Sequence, residues 1–288
     1  MLAGWALSCG PRAQTTGRDS RDVLPEWSFT KGIEGPATDA AGNVYAVNFR
    51  EEGTIGKLRP DGTAEIFLRL PGNSIGNGIG FNAKGDIFIA DYVGHRIYRV
   101  SEGEKQPDVW AEETRMNQPN DLCVHPDGSL YLSDPDWSAE TGMLWRVSPE
   151  GQVHLLEAGM GTTNGIALSP AADYLYVNES VQRRIWRYRL RPDGSLADKT
   201  LFMEFEDYGL DGMRCDIEGN LYLARYDKGT LAVISPEGKR LKEYRLKGRK
   251  PSNLTFAGPE NKTIFITMAD RGCFETVKAL HPGSQRNY

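Results

Sequence analysis

The chain of 288 residues is 39% hydrophobic and 10% aromatic, and 34 Lys and Arg against 39 Asp and Glu leave a formal net charge of −5. That balance supplies enough apolar side chains for a packed core and withholds the basic surface that nucleic-acid binding needs. No run of 18 apolar residues occurs, so no transmembrane helix is expected.

Residues 1–25 carry no repeat and read as a disordered N-terminus or the remnant of an export signal. "WALSCG", which contains Cys9, resembles the end of a bacterial lipoprotein signal, although the apolar stretch before it is short and lacks a basic start. A periplasmic or otherwise extracytoplasmic setting is the corresponding expectation.

From residue 26 to 288 the chain reads as a single domain built on a repeat. In chain order the units are "EGPATDAAGNVYAVNF" from Glu34, "NGIGFNAKGDIFIADY" from Asn77, "NDLCVHPDGSLYLSDP" from Asn120, "NGIALSPAADYLYVNE" from Asn164, "DGMRCDIEGNLYLARY" from Asp211 and "NLTFAGPENKTIFITM" from Asn253. Successive anchors lie 43, 43, 44, 47 and 42 positions apart, a period that marks stacked supersecondary units. In each unit a polar anchor leads into a short apolar run, a Gly-bearing turn, an alternating run, and two further runs. Such a unit is a four-stranded antiparallel sheet, and no window shows helical periodicity. The predicted fold is all-β, a six-bladed β-propeller with four-stranded antiparallel blades. Which terminus supplies the outermost strand of the last blade is left open.

Cys123 and Cys215 fall in the first strands of the third and fifth units, and no CxxC pair exists, so buried free thiols are expected. His125 and His154 sit beside turns or in outer runs and are read as solvated. "RRIWRYRLR", residues 183–191, alternates arginines with apolar residues and is a strand with one solvated face.

The first strand of every propeller blade lines the central channel, so the six anchors form a ring at one end: Glu34, Asn77, Asn120, Asn164, Asp211 and Asn253. Two carboxylates and four carboxamides converging there need a partner, because buried polar groups require hydrogen bonds and like charges repel. One divalent cation meets both needs. Oxygen donors without His or Cys favour a hard ion, Ca²⁺ above all, with Mg²⁺, Mn²⁺ or Zn²⁺ as alternatives. Asx-turn capping of single strands is the competing explanation for any one anchor taken alone.

With these segments on view, the chain resembles the gluconolactonase, senescence-marker-protein (regucalcin) and luciferin-regenerating-enzyme family. "PNDL…DG…YLSDP" and "DGMRCDIEGNLYLA" are most similar to its gluconolactonase branch. The resemblance implies a metal held by Glu34, Asn164 and Asp211, with Asn120 touching metal or substrate. Asp211 would be both ligand and general base in the hydrolysis of a sugar lactone. The senescence-marker branch has Arg two residues before that Asn; Gln118 stands here, so that branch's substrate preference does not carry over to this chain.

Around the mouth, Gln118, His95 and Asp134 are candidate substrate contacts, with Asp136, Trp137, Arg225 and Tyr226 as wall residues. The expected partner is a small lactone; nothing bears on oligomeric state. Two other readings stand beside it: a non-catalytic propeller binding a protein or ligand at its channel face, and a lactonase or esterase of paraoxonase-like specificity. No GxSxG nucleophile elbow is present.

Overall fold

Alternation along the strands decides how the sheets pack. In Val44–Val47, Val44 and Ala46 face Ala257 and Phe274 on one side, while Tyr45 and Val47 face Ile79 and Ile89 on the other. Successive side chains point to opposite faces of a strand, so a sheet apolar on both faces must be covered twice.

The computed structural model describes residues 17–284. Within them six four-stranded antiparallel sheets follow one another; five run in chain order from the channel outwards, and the sixth takes its outermost strand from the N-terminal end of the described residues. Their inner strands are Ala37–Thr38, Gly76–Phe81, Leu122–Val124, Thr163–Leu168, Met213–Cys215 and Pro251–Ala257. Outside the sheets, the described residues contain a single helical turn, the 3-10 segment Pro259–Asn261. Six apolar clusters join blade 1 to 2, 2 to 3, 3 to 4, 4 to 5, 5 to 6 and 6 back to 1. Each fully buried Val, Leu, Ile or Phe contributes roughly 1.5–3 kcal/mol, and both faces of every blade are packed on its neighbours. The predicted six-bladed propeller is the observed one.

Both termini close the ring. Cys273–Lys278 is the third strand of the sixth blade, and Arg21–Asp22 pairs with it as the fourth. The propeller therefore begins within the stretch 1–25 that the repeat pattern left outside it; Cys9 and the signal-like segment lie outside the described residues. The short outer strand is held by charge. Arg271 bonds Asp22 at 2.7 Å, Glu26 at 2.7 Å and the buried Glu275, and Lys247 reaches Asp22 at 2.8 Å. The Arg271 hydrogen bond is the largest influence holding the Asp22 carboxyl down at about 2.

Among the described residues Cys123, Cys215 and Cys273 are free thiols, as expected for Cys123 and Cys215. Burial pushes all three upward, Cys273 to about 12.

Candidate active site

Each anchor lies within or up to three residues before its inner strand and is followed in four blades by glycine, and the close approach of neighbouring strands explains that pairing. A Cβ on Gly35 would fall on the Asn77 carbonyl oxygen, one on Gly165 on the Asp211 carbonyl oxygen, and one on Gly212 on the Asn253 side chain. The Gly78 N–H donates to the Asn120 carbonyl at 2.8 Å. Glycine lets neighbouring strand starts approach until the anchors form a closed ring. Gly165→Ala, with no room for the methyl group, is expected to cost about 2–3 kcal/mol of stability and to displace Asp211. Calorimetry alongside Ca²⁺ titration checks this, and an unchanged melting midpoint with unchanged affinity would contradict it.

Asn253 Nδ2 donates to Glu34 Oε2 at 3.0 Å, and the Gly35 N–H donates to the same oxygen at 2.6 Å. The Asn164 side chain lies beside the Asp211 carboxyl and favours its charged form. Asn178, fully buried, donates from Nδ2 to the Asp211 carbonyl at 2.6 Å, and its Oδ1 has no partner. Burial and the charge of Asp121 raise the Glu34 carboxyl to about 7. Burial and the charge of Glu34 raise Asp211 well above the ordinary carboxylate range. Glu34 and Asp211 therefore lie within each other's field, and among the described residues neither forms an ion pair.

Below them the channel is crossed by a buried ion pair. Arg214 donates to both oxygens of Asp121, at 3.0 and 3.2 Å, and to the carbonyls of Met213 and Ile166. Arg214 is thus spent on Asp121, which leaves Glu34 and Asp211 without a bonded cation among the described residues in a site where burial makes charge costly. The donor set is carboxylate and carboxamide oxygen. Among the described residues no three His, Cys, Asp or Glu side chains converge. These residues fit a hard divalent ion.

The substrate candidates divide. Asn120 is buried at the ring, its backbone N–H bonded to Ser133, and among the described residues its side chain makes no hydrogen bond. Gln118 is partly buried; its N–H donates to Asp134 at 2.6 Å and its carboxamide is free. His95 donates from Nδ1 to the Met116 carbonyl at 2.6 Å, which leaves Nε2 available. Asp134, expected as a substrate contact, is turned inward. It lies inside the strand Leu130–Asp136, fully buried, and accepts from the N–H groups of Asn117 and Gln118 and from Trp145 Nε1. Its role is to hold the 117–118 loop that carries Gln118. Arg225 is likewise internal: it packs on the Phe205 ring at 3.9 Å and clamps Asp207 at 2.7 Å. Trp137 is 39% exposed on the loop after Leu130–Asp136.

Sequence reasoning missed Asp121, Arg214 and Asn178. Charged residues inside the otherwise apolar inner strands "NDLCV" and "GMRC" were the available signal. At the far end of the channel a cavity of about 250 Å³ is lined by Ile79, Leu122, Cys123, Arg214 and Cys215. It contains none of the ring carboxylates.

A family model described as "SMP-30/Gluconolactonase/LRE-like region" matches residues 32–270. The chain is 28% identical to the gluconolactonase of Zymomonas mobilis over 84% of its own length and 76% of that protein's. It is 27% identical to a 6-deoxy-6-sulfogluconolactonase of Pseudomonas putida, over 84% and 81% of the two chains. Regucalcin from Agrobacterium tumefaciens, described as a calcium-binding protein, superposes with a TM-score of 0.79. That match has 21% identity and covers 93% of this chain and 98% of that one, a likeness of fold.

Proposed function

The chain belongs to the SMP-30/gluconolactonase/LRE-like family, and from that premise we propose that it is a lactonase that opens sugar lactones of the gluconolactone type. The observation that carries this reading is the convergence of Glu34, Asn164 and Asp211, two carboxylates without a cationic partner, at one end of the channel. Lactonase names among relatives that align over most of this chain support it.

On this reading Glu34, Asn164 and Asp211 hold one divalent ion, Ca²⁺ by donor type. When bound, the ion supplies positive charge for the oxygen that becomes anionic as the lactone carbonyl is attacked. Asp211 takes the proton of the attacking water, as a general base within the site. Asn178 fixes the Asp211 main chain, so that carboxylate has little freedom to turn away. Asn120 and Gln118, whose carboxamides are unspent in the protein, hydrogen-bond the sugar hydroxyls, and His95 offers Nε2 from the loop beside them. Asp134 acts at one remove, through the loop it anchors.

Acid release from D-glucono-1,5-lactone, corrected for spontaneous opening, tests the proposal. Turnover well above background, with slower opening of δ-valerolactone, which lacks the hydroxyls, is expected. Absence of turnover on both by the Ca²⁺-loaded protein would contradict it.

A further inference from the structure

Opening a lactone expels an alkoxide, a far more basic leaving group than the carboxylate product, and that oxygen needs a proton or a strong hydrogen bond as the ring C–O bond breaks. Asp211 is engaged with the attacking water, so a second group must serve the leaving side. His95 donates from Nδ1 to the Met116 carbonyl, so in that neutral tautomer its Nε2 is an acceptor and brings no proton.

Tyr226 occupies the right place. The Asp211 N–H donates to the Ala224 carbonyl at 3.0 Å, which sets the register between the anchor and the second strand of the fifth blade. Tyr226 follows two residues later, just past the end of Leu221–Arg225 and beside the segment that leads into Asp211. It is partly buried. Its Cβ lies 3.8 Å from where a Cβ on Gly209 would sit, in the segment leading into Asp211, and Lys250 Nζ lies 5.4 Å from its ring centroid. Burial and then the charges of Asp211, Asp227, Asp270 and Glu34 push the phenol up to about 12. The phenol keeps its proton at neutral pH. Core tyrosines such as Tyr45, Tyr131 and Tyr244 spend their hydroxyls on Asp39, Gly194 and Lys278. Among the described residues nothing hydrogen-bonds the hydroxyl of Tyr226.

We propose that Tyr226 is a catalytic residue that donates its phenol proton to the departing ring oxygen, an inference that rests on the lactonase reading of the site. The hydroxyl of water bonds to the carbonyl carbon and its proton passes to Asp211. The ring C–O bond then breaks, its electron pair stays on the ring oxygen, and that oxygen takes the proton of Tyr226. The phenolate regains a proton from the Asp211 carboxyl, so both residues return to their starting state and one water has been added.

Tyr226→Phe in the Ca²⁺-loaded protein tests the assignment, because the need for a proton donor falls with the basicity of the leaving group. On D-glucono-1,5-lactone, whose leaving group is an alkoxide, kcat should fall about 100-fold with KM nearly unchanged. On dihydrocoumarin, or phenyl acetate where that ring is not accepted, the leaving group is a phenolate and the loss should stay under about threefold. Melting midpoint and Ca²⁺ affinity should match the wild type. Equal losses on both substrates, or no loss on either, would overturn the role of Tyr226 while leaving the lactonase reading intact. A wild type that opens no lactone would overturn both.

Discussion

Asp211→Asn should abolish lactone turnover, lowering kcat about 10³-fold, a loss of about 4 kcal/mol of transition-state stabilisation. The proposed base and one of the two charged ligands disappear together, while the carboxamide keeps the shape of the side chain and its neighbours Asn164 and Asn178. The fold should not suffer. With a chelator present the variant should melt at or above the wild-type midpoint, because a costly buried charge facing Glu34 has been removed. With Ca²⁺ present the order should reverse, since the variant has lost a charged ligand. A variant that keeps turnover would remove Asp211 from the chemistry. A variant that unfolds in chelator would show that Asp211 has a purely structural partner.

The second large effect is on stability against pH in the absence of a divalent ion. Burial, Asp121 and the opposing carboxylate raise Glu34 to about 7 and Asp211 well above its ordinary range, whereas both titrate near 4 in the unfolded chain. Between those values the native state binds more protons than the unfolded one, so stability falls as pH rises. The contribution is fully present below about pH 4 and lost as pH passes through about 7. For Glu34, allowing for solvent screening at the channel mouth, it is on the order of 2 kcal/mol. That corresponds to roughly 4–8 °C in the melting midpoint of a domain this size. In chelator the midpoint should therefore drop between pH 5 and pH 8, and Ca²⁺ at pH 8 should restore it by taking the place of the protons. A flat or rising midpoint in chelator over that range would mean that the two carboxylates do not share a field.

The repeat made the propeller legible because each blade states the same pattern locally: anchor, apolar run, turn, alternating run. The anchors were legible for the same reason, and Glu34, Asn164 and Asp211 lie at one ring. Asn-Gly had a second meaning that local reading does not reach. The glycine serves the carbonyl or side chain of the next blade, as Gly165 does for Asp211. The N-terminal strand was missed because two residues, Arg21–Asp22, carry no alternation and owe their place to Arg271 and Lys247, some 225–250 positions away. Asp134 was misplaced because the strand continues through Pro135 and turns the carboxylate inward, onto Trp145 and the 117–118 loop. The Asp121–Arg214 pair spans 93 positions of sequence across the channel, so neither residue announces the other locally.

The central claim is that one divalent ion held by Glu34, Asn164 and Asp211 makes this propeller a lactonase. The most direct test titrates Ca²⁺ into metal-stripped protein while heat of binding and D-glucono-1,5-lactone turnover are followed on the same samples, with Glu34→Gln alongside. One ion per chain, turnover rising in proportion to occupancy, and loss of both in Glu34→Gln is the predicted result. Turnover that is indifferent to the ion, or an ion that binds Glu34→Gln as tightly as the wild type, would contradict the claim.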